Sequence, residues 1–89
     1  MISRNVTIVN RLGLHARAAA RLVNCAARFE AEVWLRKGEQ AVNGKSIMGV
    51  LTLAAGKGSE LTVEADGADE EQAAAALADL VRKRFGEDE

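Results

Sequence analysis

The chain has no proline, a single cysteine, a single histidine and only three aromatic residues among its 89 positions. Each scarcity excludes something. Cys25 has no internal disulfide partner, and one histidine with one cysteine at a non-ligand spacing does not make a metal centre, so no metal or other cofactor is expected. Phe29, Trp34 and Phe85 are too few and too scattered for a base-stacking platform. Without proline, repeats or low-complexity tracts, element boundaries must be read from periodicity and not from linkers. No apolar run approaches the roughly 20 residues of a membrane span. Met1-Ile2-Ser3-Arg4-Asn5 lacks the apolar stretch of a secretory signal. The expectation is a cytoplasmic protein with no membrane insertion.

What is present describes an ordinary globule: 48% hydrophobic and 28% charged residues, enough for one domain over residues 1–89 with a modest core. The net charge of −1 hides an uneven distribution. Residues 1–57 hold nine Lys/Arg against three acids, and residues 58–89 hold three against ten. Such a division permits an electropositive face around the first helix that would steer an acidic partner, though a solvated surface accounts for it equally well. The acidic second half also argues against nucleic acid as a partner.

Hydrophobic period divides the chain into βαββαβα. Val6 and Ile8 share the inward face of a strand over Val6–Val9. From Ala16 to Phe29 the polar residues Arg17, Arg21, Asn24 and Arg28 form one helical stripe, leaving Ala19, Leu22, Val23 and Ala26 to pack inward. Among Val23, Ala26 and Ala27, Cys25 reads as a small buried apolar residue and not a reactive thiol. Val33 and Leu35 point inward from a second strand, the turn Lys37-Gly38-Glu39 leads to a third at Gln40 to Val42, and Asn43-Gly44 breaks it. Ser46 is placed to cap a short helix through Ala54, with Gly56 as its left-handed stop and Val50 and Leu53 facing the core. Leu61, Val63 and Ala65 alternate along a fourth strand. A last helix begins at Asp69, with Gln72 in capping-box spacing, and runs to Phe85 with Arg82, Lys83 and Arg84 in its final turn. Helices enough for one sheet face favour a two-layer α+β sandwich over a doubly wound parallel sheet.

The chemistry concentrates in Gly13-Leu14-His15-Ala16-Arg17. His15, the only histidine, precedes a helix whose first turn offers unpaired N–H groups, the positive end of the macrodipole and Arg17. Imidazole takes up and releases a phosphoryl group near neutral pH, so this arrangement suits a phosphorylated histidine. Taken alone, a histidine at a helix start is more often a cap or surface group. Other motifs fail on spacing: Gly44-Lys45-Ser46 ends like a P-loop, but the required first glycine would be Glu39. Gly56-Lys57-Gly58 lacks a third glycine and leads into a strand.

The element order, together with Gly13-Leu14-His15-Ala16-Arg17 and Asn43-Gly44-Lys45-Ser46-Ile47-Met48, resembles the HPr family, histidine-containing phosphocarriers of the bacterial phosphoenolpyruvate-dependent phosphotransferase system. The resemblance covers nearly the whole chain. It implies an open-faced β-sandwich, a four-stranded antiparallel sheet covered on one face by three helices, and a monomer. It implies that His15 takes a phosphoryl group on Nδ1 from enzyme I and passes it to an enzyme II A component, in a relay and not as a stand-alone turnover enzyme. Arg17 would hold the phosphoryl oxygens. Ser46 matches a serine that a dedicated HPr kinase/phosphorylase modifies in some branches. Ile47, Met48 and Leu51 match an apolar partner-docking patch beside Ala16 and Ala20, although each could instead be core. Ala18 stands where many members have proline. His15-Ala16-Arg17-Ala18-Ala19-Ala20 fits the nitrogen-related regulatory branch better than the general sugar-uptake carriers. A second class of function stays open, an interaction module that phosphorylation merely toggles.

Overall fold

The computed structural model describes residues 1–89 as one sheet with helices packed on one side. The elements are β1 (Ile2–Thr7), α1 (Ala16–Ala27), β2 (Glu32–Lys37), β3 (Gln40–Asn43), α2 (Ile47–Thr52), β4 (Glu60–Asp66) and α3 (Glu70–Arg82), then a 3₁₀ turn at Arg84–Gly86. The expected βαββαβα order and open-faced α+β sandwich are both present. Strand order is β1-β4-β2-β3, every pair antiparallel, with the registers Ile2 to Ala65, Val33 to Ala65 and Leu35 to Val42.

The period-2 residues Val33, Leu35, Leu61, Val63 and Ala65 are buried, as their alternation predicts. They meet Ala18, Ala19, Leu22 and Ala26 of α1, Val50 of α2, and Ala73, Ala74, Leu77 and Val81 of α3 in one apolar cluster. The abundance of alanine on the inner faces of α1 and α3 lets the two helices approach each other closely and lets α3 lie close against β1 and β4.

Several boundaries differ from the sequence expectation for identifiable reasons. β1 starts earlier and ends at Thr7, yet Ile8 remains fully buried and bonded to the neck before β4 through Ser59 O at 2.9 Å and Gly58 N at 2.7 Å. α1 ends at Ala27, and Val23 is only partly buried. α2 stops at Thr52, and the left-handed residue beyond it is Ala54, at φ 50°, instead of Gly56. Asp69 does sit at the N-cap of α3, but its side chain makes no capping bond. Both carboxylate oxygens are taken by the N–H groups of Glu30 and Ala31, at 2.9 and 2.8 Å, tying the α1–β2 loop to α3. Glu70 reaches back to Gly67 N instead. α3 ends at Arg82, so Lys83 and Arg84 lie past its last turn, and Arg84 and Phe85 are left-handed at φ 60° and 55°.

That left-handed pair costs about 1–2 kcal/mol per residue. Burying the Phe85 ring, which is 1% exposed, returns about 2–3 kcal/mol. The two nearly cancel, so the hydrogen bonds around the turn decide. Arg21 Nη1 donates to Phe85 O, Gly86 N to Lys83 O at 3.0 Å, and Glu87 N to Arg84 O at 2.9 Å. The chain is thereby turned back across the start of α1.

Candidate functional site

His15 is the N-cap residue of α1, with extended backbone (φ −73°, ψ 178°) and no capping bond from its side chain. The N–H groups of the first turn therefore remain available, and no acidic residue stands in that turn to occupy them. The preceding loop is fixed by Gly13, whose φ of +67° lies in the left-handed region. A Cβ there would stand 2.5 Å from Ala55 O and 2.7 Å from the Gly56 Cα, so glycine is required on both counts. Leu14 N then donates to the same Ala55 carbonyl at 2.8 Å, joining the His15 loop to the chain leaving α2.

The imidazole is about a quarter exposed. Its Nε2 is hydrogen-bonded to Glu87 Oε2, while Nδ1 has no hydrogen-bond partner. Glu87 Oε1 accepts from Asn10 Nδ2 at 2.9 Å, and the same amide nitrogen donates to Gly13 O at 2.8 Å. Asn10 is fully buried and leaves Oδ1 unpaired, so its amide orientation is set by two acceptors on its nitrogen. The bond from Asn10 lowers the Glu87 carboxyl below its ordinary 4.5, with His15 and the Arg21 guanidinium adding to it against the opposing effect of burial. Next to this group Arg11 pairs with Glu89 at 2.8 Å.

Arg17 is exposed on the first turn of α1 and enters no ion pair or side-chain hydrogen bond. Ser46 caps α2 as expected, accepting from Gly49 N at 3.2 Å. Just after it Ile47 and Met48 are 40% and 69% exposed, whereas Val50 and Leu53 are buried. Leu51 and Ala20 are partly buried and Ala16 is exposed, on two helices that pack together. Lys45 Nζ donates to Phe29 O at 2.8 Å, which ties the Gly44-Lys45-Ser46 segment to the chain leaving α1. Cys25 is partly exposed, contrary to expectation, yet burial raises its thiol pKa, opposed by Arg28, so it stays a weak nucleophile.

Residues 2–83 match the family profile described as the PTS HPr component phosphorylation site. The chain belongs to the HPr family, phosphocarriers of the phosphotransferase system. Among curated HPr proteins it is 51% identical over 89 residues to the phosphocarrier protein HPr of Cupriavidus necator and 49% identical to that of Neisseria meningitidis, with complete coverage of both chains in each case. A solved HPr structure from Thermoanaerobacter tengcongensis superposes with TM-score 0.96 at 42% identity over the whole of both chains. An HPr dimer from the same organism matches at TM-score 0.79 and 42% identity, covering 98% of this chain and all of that one.

Within this HPr fold, His15, Arg17 and Ser46 are legible from the sequence, whereas Asn10 and Glu87 are brought to His15 only by the fold. Asn10 carried a faint signal, a polar residue between apolar Val9 and the glycine turn. Glu87 carried none.

Proposed function

We propose that His15 is the phosphoryl acceptor, taking the group from phosphorylated enzyme I on Nδ1 and passing it to a histidine of an enzyme II A component. The observation that carries this is the imidazole at the head of α1 with Nδ1 unpartnered beside open first-turn N–H groups. Arg17, one residue into the helix and free of partners, supplies the guanidinium fork for the phosphoryl oxygens. The protein acts as a stoichiometric relay, a monomer working in the cytoplasm, with no cofactor of its own. The exposed Ile47 and Met48, with Leu51, Ala16 and Ala20, form the docking surface for both partners. A kinase-placed phosphate on Ser46 would add charge beside that surface and oppose docking. The run Ala18-Ala19-Ala20 without proline supports a nitrogen-related regulatory role over sugar uptake.

Incubation with enzyme I, Mg²⁺ and phosphoenolpyruvate tests the acceptor. A single acid-labile, base-stable phosphate is expected, absent from His15→Ala; label that survives acid or persists in that variant refutes it. Comparing transfer to a nitrogen-related and a sugar-specific enzyme II A component decides the branch. The exposed Ile47 and Met48 also favour a second reading, an interaction module toggled by phosphorylation. It predicts that His15→Ala still fulfils the cellular role, which a pure carrier forbids.

A further inference from the structure

We propose that Glu87, locked by Asn10, is a positioning residue that keeps the His15 proton on Nε2 and so presents Nδ1 as the free nucleophile. The proposal rests on His15 being the phosphoryl acceptor.

A carboxylate accepts hydrogen bonds and donates none, so the nitrogen facing Glu87 Oε2 must carry the ring proton. In the neutral ring the other nitrogen then holds the lone pair. Nδ1 is that nitrogen, and it is the one without a partner. The arrangement is anchored at every joint. Asn10 donates to Gly13 O and to Glu87 Oε1, which fixes the carboxylate relative to the loop that carries His15. Phe85, buried in the core, and the Arg21 bond to its carbonyl fix the segment that carries Glu87. The Glu87 side chain is only 14% exposed, so water competes little for its second oxygen.

In the transfer step the Nδ1 lone pair forms the new N–P bond as the donor phosphohistidine's N–P bond breaks, and that electron pair returns to the donor ring. His15 keeps its Nε2 proton and its ring gains a positive charge. The Glu87 carboxylate lies directly against that charge. Orientation of the ring and stabilisation of the cation are the two services an acid provides to histidine in a catalytic triad, here supplied from a residue 72 positions away in the chain.

Glutamine at position 87 gives a distinctive prediction. Asn10 Nδ2 is a donor, so it will keep the amide oxygen of the introduced glutamine and turn the amide nitrogen toward His15. His15 Nε2 would then have to accept, forcing the proton onto Nδ1. Glu87→Gln should therefore be worse than Glu87→Ala, which only releases the ring.

The test is long-range ¹H–¹⁵N NMR of His15 in the unphosphorylated protein at alkaline pH, paired with the rate of phosphorylation by enzyme I. Expected are an Nε2–H tautomer in the wild type, an Nδ1–H tautomer in Glu87→Gln, and a rate lowered about tenfold or more in that variant. A smaller loss is expected in Glu87→Ala and partial recovery in Glu87→Asp, all with near-native melting. A wild-type ring protonated on Nδ1 overturns the proposal without any variant. So does a Glu87→Gln protein that transfers as fast as Glu87→Ala or faster. Labelling that persists in His15→Ala removes the acceptor assignment instead, a different result from either.

Discussion

Arg17 lies one residue into α1 with its guanidinium unpaired, so the proposed role of its side chain can be tested separately from that of the helix start. Lysine there keeps the charge and loses the planar fork, so Arg17→Lys should slow transfer from enzyme I by about tenfold, equivalent to about 1.4 kcal/mol. Arg17→Ala should slow it further; an unchanged rate would mean that backbone donors suffice. Asp69 makes a different kind of prediction. Backbone N–H groups of Glu30 and then Ala31 hold its carboxyl below the ordinary 3.8, so the ionised form contributes stability above that value, lost as pH falls through the lower folded value. Asp69→Asn should melt below wild type at neutral pH, and the gap should close in acid below about pH 4. A gap constant down to the acid limit of folding would deny Asp69 an ionic role. His15, Arg17 and Ser46 were legible in the sequence because each stands at the start of its own helix, where spacing alone marks it. Asn10 and Glu87 were not, because they reach His15 only through contacts made by the folded chain, and residues 86–89 show no periodicity from which such a contact could be read.

At the scale of elements, alternation identified Val33, Leu35, Leu61, Val63 and Ala65 without error, since a strand with one buried face writes that face into every second position. Helix ends were less legible because side chains that could cap are also free to bond elsewhere, as Asp69 does. The end of α2 shows the same competition in backbone form. Ala54 carries the left-handed conformation at φ 50°, while Gly56 does not and has open space where a Cβ would go. Ala54→Gly should therefore stabilise the protein by up to about 1 kcal/mol, and Gly56→Ala should be neutral or slightly stabilising. Thermal melts of the pair check both. The reverse ranking would return the stop to Gly56. The start of α2 gives a paired measurement. Ser46→Ala removes the acceptor for Gly49 N and should cost about 1 kcal/mol. Ser46→Asp keeps an acceptor, so melting should stay near wild type while transfer from enzyme I slows through weaker docking. Normal kinetics in Ser46→Asp and in the phosphorylated protein would leave Ser46 only its capping role.

For the whole molecule, the separation of charge along the sequence is only partly a separation in space. Arg17 and Arg21 on α1 and Arg28 at its C-cap stand exposed without a carboxylate partner in an ion pair, whereas Glu87 and Glu89 fold back onto His15 and Arg11. The basic field thus runs along the helix and is trimmed at the site itself. Raising ionic strength should increase KM for phosphorylated enzyme I severalfold and leave the rate within the complex nearly unchanged. A salt-independent KM would mean that apolar contact alone brings the partners together. The strand order carries a further consequence, in time instead of space. β1 has only one neighbour, β4, and the two are separated by α1, β2, β3 and α2. On a ribosome adding about 5–20 residues per second, the first strand emerges and then has no partner for several seconds. Everything up to α2 is synthesised before the sheet acquires the strand that joins its two halves. A chain stalled before residue 60 is therefore left with β1 lacking its only partner and one edge of β2 unpaired, backbone that chaperones would have to cover until β4 is made.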